Sequence, residues 1–414
     1  MALAVRFPDT LSTITSFLAG VFRNRPQQAH FSEYLLGLVA SQNKTVTGIR
    51  DFYAFSKDAS SLNRFFTEAV WDEQELNRQR LVWTQSQKEL RYDPRGVIAI
   101  DNVLIDHVGK LICDVGFFWD HAEQRHKIAH DYLIGNYVTP EGKHFPLEFF
   151  RFRKREVCEA AGCTFEDHNV LFRKLITWTC EEKIPGAFAF DSYFTHAENL
   201  NHIHGYRNEH DGEPRSYVGD LKFNRKLWVA GKEVKASEWA KSIANEQKKI
   251  LEEKNGKKQW YFTTCVRIPN VNHKVRVIVL WKEKGDTEPR KILISNRTTW
   301  DVRRIVGVYR YRWTGTETFH RDGKQLLGMG DCQLRDGQGQ TRHMYLVFVA
   351  YSYLMSKAKI GYPKNEVISQ PVTVGEVCRS IAQEVFRDTL TWAIRQVTQG
   401  RKSLEQTLRI LRFA

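Results

Sequence analysis

The chain has 414 residues, of which 42% are hydrophobic and 27% are charged, so its composition excludes both a single small domain and general disorder. It carries 62 Lys and Arg against 48 Asp and Glu, a net charge of +14 at pH 7, which favours an extended polyanion as partner. The seven cysteines form no Cys-x-x-Cys pair, and no apolar run reaches the roughly 18 residues of a membrane span, so we expect a cytoplasmic protein with reduced thiols.

Short amphipathic segments with polar residues at their starts predict helices over residues 1–92. Thr45 precedes one such segment, Ser60 or Ser61 precedes the next, and a longer polar helix is expected over 73–90. Short helices joined by tight turns are typical of a helix-turn-helix unit and equally of an ordinary helical bundle. We interpret residues 1–92 as a helical DNA-binding domain.

A turn-forming cluster at 93–96 opens a segment in which strand and helix patterns are mixed. The β-branched run at 97–106 predicts the first strand. Two more strands, a helix and a fourth strand are predicted at 111–119, 131–139, 165–183 and the start of GAFAFDSYF. Residues 93–205 are therefore predicted to form the first part of a mixed α/β catalytic core.

Residues 206–297 differ in composition, and we predict a β-rich insertion. Its candidate strands are YVGDLKFNRKLWV, QWYFTTCVRI, KVRVIVLWKE and RKILIS, with a basic helix near 237–254. The second part of the core is predicted over 298–360. It contains helices at 298–311 and 316–327, followed by a helix that is apolar on every face in HMYLVFVAYSYLM.

Residues 361–414 are predicted to form a helical C-terminal region. Thr373 with Glu376, and Ser403 with Gln406, have the spacing of capping boxes that open helices. An apolar stripe on the first of these helices can serve either a dimer contact or packing within the chain, and the sequence leaves both open.

Three acids stand at positions suited to phosphodiester chemistry. Asp101 follows the apolar residues VIAI, Asp191 follows AFAF, and Glu317 lies in a predicted helix. Two strands of one sheet and a helix laid across them can bring three carboxylates around two cations, which would serve both sides of an in-line displacement if about 3.5–4 Å apart. Mg²⁺ prefers such oxygen ligands. Asp106 is an alternative first ligand, but five residues past Asp101 it falls on the opposite strand face or in the turn, so we favour Asp101.

The segment from Tyr309 to Lys324, YRYRWTGTETFHRDGK, resembles the signature region of bacterial insertion-sequence transposases. The group in question is ribonuclease-H-like, works by cut-and-paste and carries a Tyr-Arg-Glu-Lys signature. IAIDNVLIDHVGK and FAFDSYF resemble the strands with that group's first and second aspartates, and KILISNRTTWDVRRIVGVYRYRW resembles the approach to the signature. The resemblance covers residues 95–360.

The resemblance implies a DDE transposase that binds terminal inverted repeats and catalyses metal-dependent DNA cleavage and strand transfer. Asp101, Asp191 and Glu317 would be the catalytic residues and the ligands of two Mg²⁺ ions, for which Mn²⁺ could substitute. The DNA contacts implied on the signature helix are Tyr309, Arg312, His320, Arg321 and Lys324. The implied partner is double-stranded DNA, at the transposon ends and the target, bound by a homodimer in a synaptic complex at the nucleoid without membrane association.

The chain departs from the family's spacing at one point. The glutamate follows the signature arginine by four residues in the family, whereas Glu317 follows Arg312 by five. We therefore predict an irregular turn at 314–316 that absorbs the extra residue. Separately, we interpret Trp313 as a residue that packs in the protein interior, that is, as a packing anchor. Two alternatives to a transposase stay open: a nuclease of the same fold without strand transfer, and a domesticated, non-catalytic DNA-binding regulator.

Overall fold

The structure is a computed structural model. It describes residues 4–55, 58–120, 123–252, 256, 258–359 and 372–412. Within these ranges the chain forms a ten-stranded sheet, a separate two-stranded sheet and thirteen α-helices, so the predicted mixed α/β class is confirmed. Residues 361–371 of the predicted C-terminal region lie outside the described residues.

The strands are β1 (Val97–Asp106), β2 (Gly116–Asp120), β3 (Arg125–Val138), β4 (His144–Phe152), β5 (Ala187–Phe190), β6 (Tyr217–Asp220), β7 (Lys226–Val229), β8 (Lys232–Lys235), β9 (Lys249–Glu252), β10 (Lys258–Val266), β11 (Val275–Trp281) and β12 (Lys291–Ser295). The helices are α1 (Ser12–Leu18), α2 (Arg25–Ala40), α3 (Val46–Asp51), α4 (Ala59–Thr67), α5 (Glu73–Ser86), α6 (Arg155–Ala161), α7 (His168–Glu181), α8 (Ala197–Gly205), α9 (Ala236–Lys241), α10 (Val302–Leu326), α11 (Gly337–Lys357), α12 (Val374–Thr398) and α13 (Leu404–Ile410).

The large sheet joins the predicted core and most of the β-rich segment in one layer. Its strand order is β2-β3-β1-β5-β6-β12-β11-β10-β9, and β4 pairs with the part of β3 that β2 leaves open. β1, β5 and β6 run parallel to one another, whereas the other neighbours are antiparallel. Because β12 pairs with β6, strands of the segment 206–297 extend the core sheet.

Helix α10 covers one face of the sheet across the parallel strands. Ala99, Ala189 and Val218, one from each parallel strand, pack in the same cluster as Ile305 and Val306 of α10. The next residue along each strand points to the opposite face, where α7 packs. Both faces are therefore buried, as parallel strands require.

The N-terminal helices pack on α11. This helix contacts α2, α4 and α5, and its residues over 342–355 are all buried, which confirms the predicted helix that is apolar on every face. The buried Arg80 of α5 ties the layers together by donating hydrogen bonds to the Leu147 carbonyl of β4 and the Ser352 hydroxyl of α11. The predicted helical character is confirmed for the described residues between 4 and 92, and binding of this region to DNA stays a prediction.

Polar caps start several helices as their sequences predict. Thr373 with Glu376 and Ser403 with Gln406 form reciprocal capping boxes at the starts of α12 and α13. Helix α4 instead begins after Asp58, whose carboxylate accepts a backbone hydrogen bond, so the predicted serine cap is wrong. The apolar stripe of α12 is buried within the chain near its start and exposed toward its end.

Long-range packing corrects two local predictions, and one strand was not predicted. The strand expected at 111–119 begins only at Gly116, because the preceding residues turn toward the Arg335 carbonyl. The helix expected near 237–254 ends at Lys241, since the residues after it pair with β10 as β9. Strand β4 escaped prediction altogether, although its residues are mostly buried.

The predicted irregular turn at 314–316 is also wrong, because α10 is one continuous helix through these residues. Gly315 does not break the helix but lets it approach the sheet, where an added Cβ would meet Val138 and Ala99. In a continuous helix, Arg312 and Glu317 project roughly 140° apart, whereas a spacing of four would hold them within about 40°. Because of the extra residue, the side chains of Arg312 and Glu317 project from different sides of the helix.

Among the described residues, no helix combines the length and the apolar character needed to cross a membrane. The division of the chain at 92, 205, 297 and 360 stays a prediction.

Candidate active site at the ends of the parallel strands

Three aspartates stand in one row across the three parallel strands. β1 pairs with β5 up to Ala99 and Ala189, and β5 pairs with β6 through Ala189 and Val218. Two residues beyond these partners, the same register brings Asp101, Asp191 and Asp220 to matching positions. Since side chains two apart on a strand share a face, all three aspartates belong to the face covered by α10.

Asp101 is buried and ion-paired. The Arg312 Nη1 donates a hydrogen bond to Asp101 Oδ2 at 2.5 Å, and the two side chains are only 13% and 11% exposed for Asp101 and Arg312. Burial raises the pKa of Asp101 to about 7; the Arg312 guanidinium opposes this rise, and the nearby carboxylates of Asp191 and Glu317 add to it. Asp191 and Glu317 are thus near enough to influence Asp101.

Asp191 follows the last residue of β5 and is half-buried. Its carboxylate accepts a hydrogen bond from the Tyr193 N–H at 3.0 Å, which fixes the turn after the strand. Burial raises the pKa of Asp191; the Tyr193 N–H and Arg312 oppose the rise, and Asp220 reinforces it. Asp191 therefore lies between the charges of its two neighbours in the row.

Glu317 is exposed on α10, on the side that leads toward Lys324. The side chain of Lys324 is exposed to solvent overall. Protein groups around its ammonium nevertheless desolvate it in part, and this lowers the pKa of Lys324. The alternative ligand Asp106 ends β1, pairs with Lys127 at 2.8 Å and lies near enough to Lys324 to influence its pKa. The choice of Asp101 over Asp106 as first ligand stays a prediction.

A fourth acid, Asp220, was missed by the sequence analysis. Lys291 of β12 pairs with Asp220 Oδ2 at 2.9 Å and donates to the Tyr309 hydroxyl at 3.1 Å. The signal was present, because Asp220 follows the short apolar segment YVG just as Asp191 follows AFAF. Tyr309, which is predicted to contact DNA, accepts this hydrogen bond from Lys291. The centre of its ring lies 5.6 Å from the Arg312 guanidinium carbon.

The remaining signature residues differ in their access to solvent. Arg321 pairs with its neighbour Asp322, but its side chain is exposed and therefore accessible to DNA. His320 is buried, and burial lowers its pKa to about 3, which argues against the predicted direct contact with DNA. Trp313 is 62% exposed, so its interpretation as a packing anchor is wrong.

The donor types at this site suit a hard divalent cation, because all the candidate ligands are carboxylate oxygens. Within the described ranges, however, no three His, Cys, Asp or Glu side chains converge into a ready metal site. Arg312 currently supplies the positive charge beside Asp101, and its buried Nε has no hydrogen-bond partner among the described residues. A metal is therefore compatible with the chemistry of the row, provided that Arg312 leaves Asp101.

No family model and no curated protein matches this chain.

Proposed function

We propose that the chain is a DNA transposase with a ribonuclease-H-like core, in which Asp101, Asp191 and Glu317 serve phosphodiester cleavage and strand transfer. The observation that carries this proposal is the shared register of Asp101 and Asp191 on neighbouring parallel strands, under a helix that bears Glu317. The strand order β4-β3-β1-β5-β6, antiparallel up to β1 and parallel from there, supports it as the order expected of a ribonuclease-H-like core.

The side chains around the acids suit this chemistry. Asp101, Asp191 and Glu317 would hold two Mg²⁺ ions, which when bound supply positive charge to the attacking and leaving oxygens. Arg312 and Lys291 present cationic groups to a phosphate, and the planar guanidinium can do so with two parallel hydrogen bonds. Because Asp101 is buried, a negative charge there is costly unless a cation compensates it. The row of aspartates therefore depends on cations for its stability.

Double-stranded DNA is the proposed partner. The net charge of +14 favours a polyanion, and the helical N-terminal region would bind the terminal repeats. A homodimer would let both ends of one element be cut together. The DNA substrate and the homodimer are both part of the proposed function.

A non-catalytic DNA-binding regulator is the second candidate. The ion pair between Arg312 and Asp101 favours it, because Arg312 already compensates the carboxylate that a metal would need. A regulator would bind DNA with similar affinity in the presence and absence of Mg²⁺ or Mn²⁺.

Strand joining tests the proposal. The full-length protein is incubated with Mg²⁺, a target plasmid and DNA ends taken from inverted repeats that flank its reading frame. We expect joined products that Asp101→Asn, Asp191→Asn and Glu317→Gln each abolish. Glu405→Gln, at an exposed carboxylate of α13, is the matched control. Cutting without joining would identify a nuclease, and DNA binding without cutting would support the regulator.

A further inference from the structure

Two cationic side chains form ion pairs with two of the three aspartates in the row. Arg312 contacts Asp101 at 2.5 Å, and Lys291 contacts Asp220 at 2.9 Å. Tyr309 lies between the two cations, since its hydroxyl accepts from Lys291 and its ring lies below Arg312. Lys291, Tyr309 and Arg312 therefore form one connected unit, which we call the cation bridge.

The cation bridge also lines a cleft between α10 and β12. The cleft has a volume of about 390 Å³, and Arg290 and Arg310 line it as well. Four cationic side chains around one cleft favour an anion of high charge density. The buried Arg312 Nε, which has no hydrogen-bond partner in the described part of the chain, leaves its guanidinium with a donor to offer.

We propose that this cleft binds a phosphate of the DNA backbone, and that the phosphate draws Arg312 and Lys291 away from Asp101 and Asp220, so that DNA and divalent cations bind cooperatively. The inference rests on the proposed function, because it takes DNA as the partner and Asp101 as a metal ligand. It adds Lys291, Arg290 and Asp220 to the site and makes the cation bridge the link between the two ligands.

The physical reason is competition for the same positive charges. Arg312 carries one positive charge, so a phosphate that accepts from its unpaired Nε in the cleft competes with Asp101 for that charge. When Arg312 leaves, Asp101 is buried beside Asp191 without compensation, and a divalent cation restores the balance. Thermodynamic reciprocity then requires that the metal strengthen DNA binding by the same factor.

Mn²⁺ binding to the full-length protein tests this coupling. Free Mn²⁺ is measured by electron paramagnetic resonance at mildly alkaline pH, with and without a short DNA duplex. For the unaltered protein we expect DNA to raise the Mn²⁺ affinity about fivefold or more, the usual size of coupling between two sites. Arg312→Ala should bind Mn²⁺ more tightly without DNA and should lose the effect of DNA.

Two further variants complete the design. Lys291→Ala, at a less buried pair, should shift Mn²⁺ affinity in the same direction by a smaller factor and guards against misfolding of Arg312→Ala. Arg303→Ala, at an exposed position of the same helix, is the matched control and should behave like the unaltered protein.

The outcomes separate this inference from the function on which it rests. If Asp101→Asn removes Mn²⁺ binding while DNA, Arg312→Ala and Lys291→Ala leave the affinity unchanged, the coupling is wrong and the metal site stands. If Asp101→Asn binds Mn²⁺ as tightly as the unaltered protein, the proposed metal site itself is wrong.

Discussion

Gly315 of α10 packs directly on Ala99 of β1. A Cβ added at Gly315 would lie 3.0 Å from the Ala99 Cβ and 2.6 Å from Val138 Cγ2, so the helix backbone touches the sheet at this point. Arg312 and Glu317 lie within one helical turn on either side of Gly315. The contact therefore sets the height of both side chains above the aspartate row.

Gly315→Ala should push α10 away from the sheet. We expect a loss of about 1–3 kcal/mol in the free energy of unfolding, the usual cost of overpacking a core, together with reduced DNA cleavage. Gly307→Ala on the same helix is the control, because an added Cβ there meets nothing within 4 Å. It should gain about 0.5–1 kcal/mol from helix propensity. Urea unfolding measures both, and equal effects of the two substitutions would show that the helix tolerates a shift at Gly315.

Asp191→Asn should abolish cutting and leave DNA affinity unchanged. The asparagine Oδ1 can still accept the hydrogen bond from the Tyr193 N–H, so the turn after β5 should persist while the negative charge is lost. Cleavage of end DNA and a binding titration with the same DNA measure the two effects. Asp9→Asn, at an exposed position, should retain both activities. Cleavage by Asp191→Asn at the unaltered rate would remove Asp191 from the mechanism.

Lys324→Ala should weaken binding to end DNA and reduce its dependence on salt. Removing one phosphate contact lowers the slope of log affinity against log salt concentration by about one. Binding isotherms over a series of salt concentrations give that slope. Lys174→Ala, at an exposed lysine of α7 on the opposite face of the sheet, is the comparison and should keep the original slope. The same slope in both variants would place Lys324 away from the DNA.

His144 should make the protein less stable in acid. Its ring lies buried between the Tyr351 hydroxyl, 2.7 Å from Nε2, and the Gly142 carbonyl, which accepts from Nδ1. Burial lowers the pKa of His144 from 6.5 to about 4, so between these values the unfolded chain binds a proton that the folded chain excludes. The stabilising contribution is therefore complete above pH 6.5 and is lost as the pH falls toward 4.

Unfolding titrations across this pH range test the assignment. His144→Gln has no group that titrates there, so its free energy of unfolding should fall less than that of the unaltered protein. His126→Gln, at an exposed histidine of β3, should follow the unaltered protein. A drop for His144→Gln as steep as that of the parent chain would assign the acid sensitivity to other groups.

Several elements could be predicted because their signals are local. The β-branched run at 97–106 forms β1 over that same range, and both capping boxes form where a polar side chain precedes its partner by three residues. The helix at 314–316 could not be predicted, since Gly315 is a helix breaker in isolation and a packing residue against Ala99. Likewise, β9 forms only because β10 offers it a partner.

The sequence by itself determined which residues could carry the chemistry: Asp101 and Asp191 after apolar segments, and Glu317 on a helix, in a chain charged to suit DNA. Only the tertiary structure decided how they meet. Strand register, a property of long-range hydrogen bonds, placed Asp220 in the same row, and the continuous turn of α10 directed Arg312 onto Asp101. The pair of Arg312 and Asp101 joins residues 211 positions apart, and local patterns carry no record of such a contact.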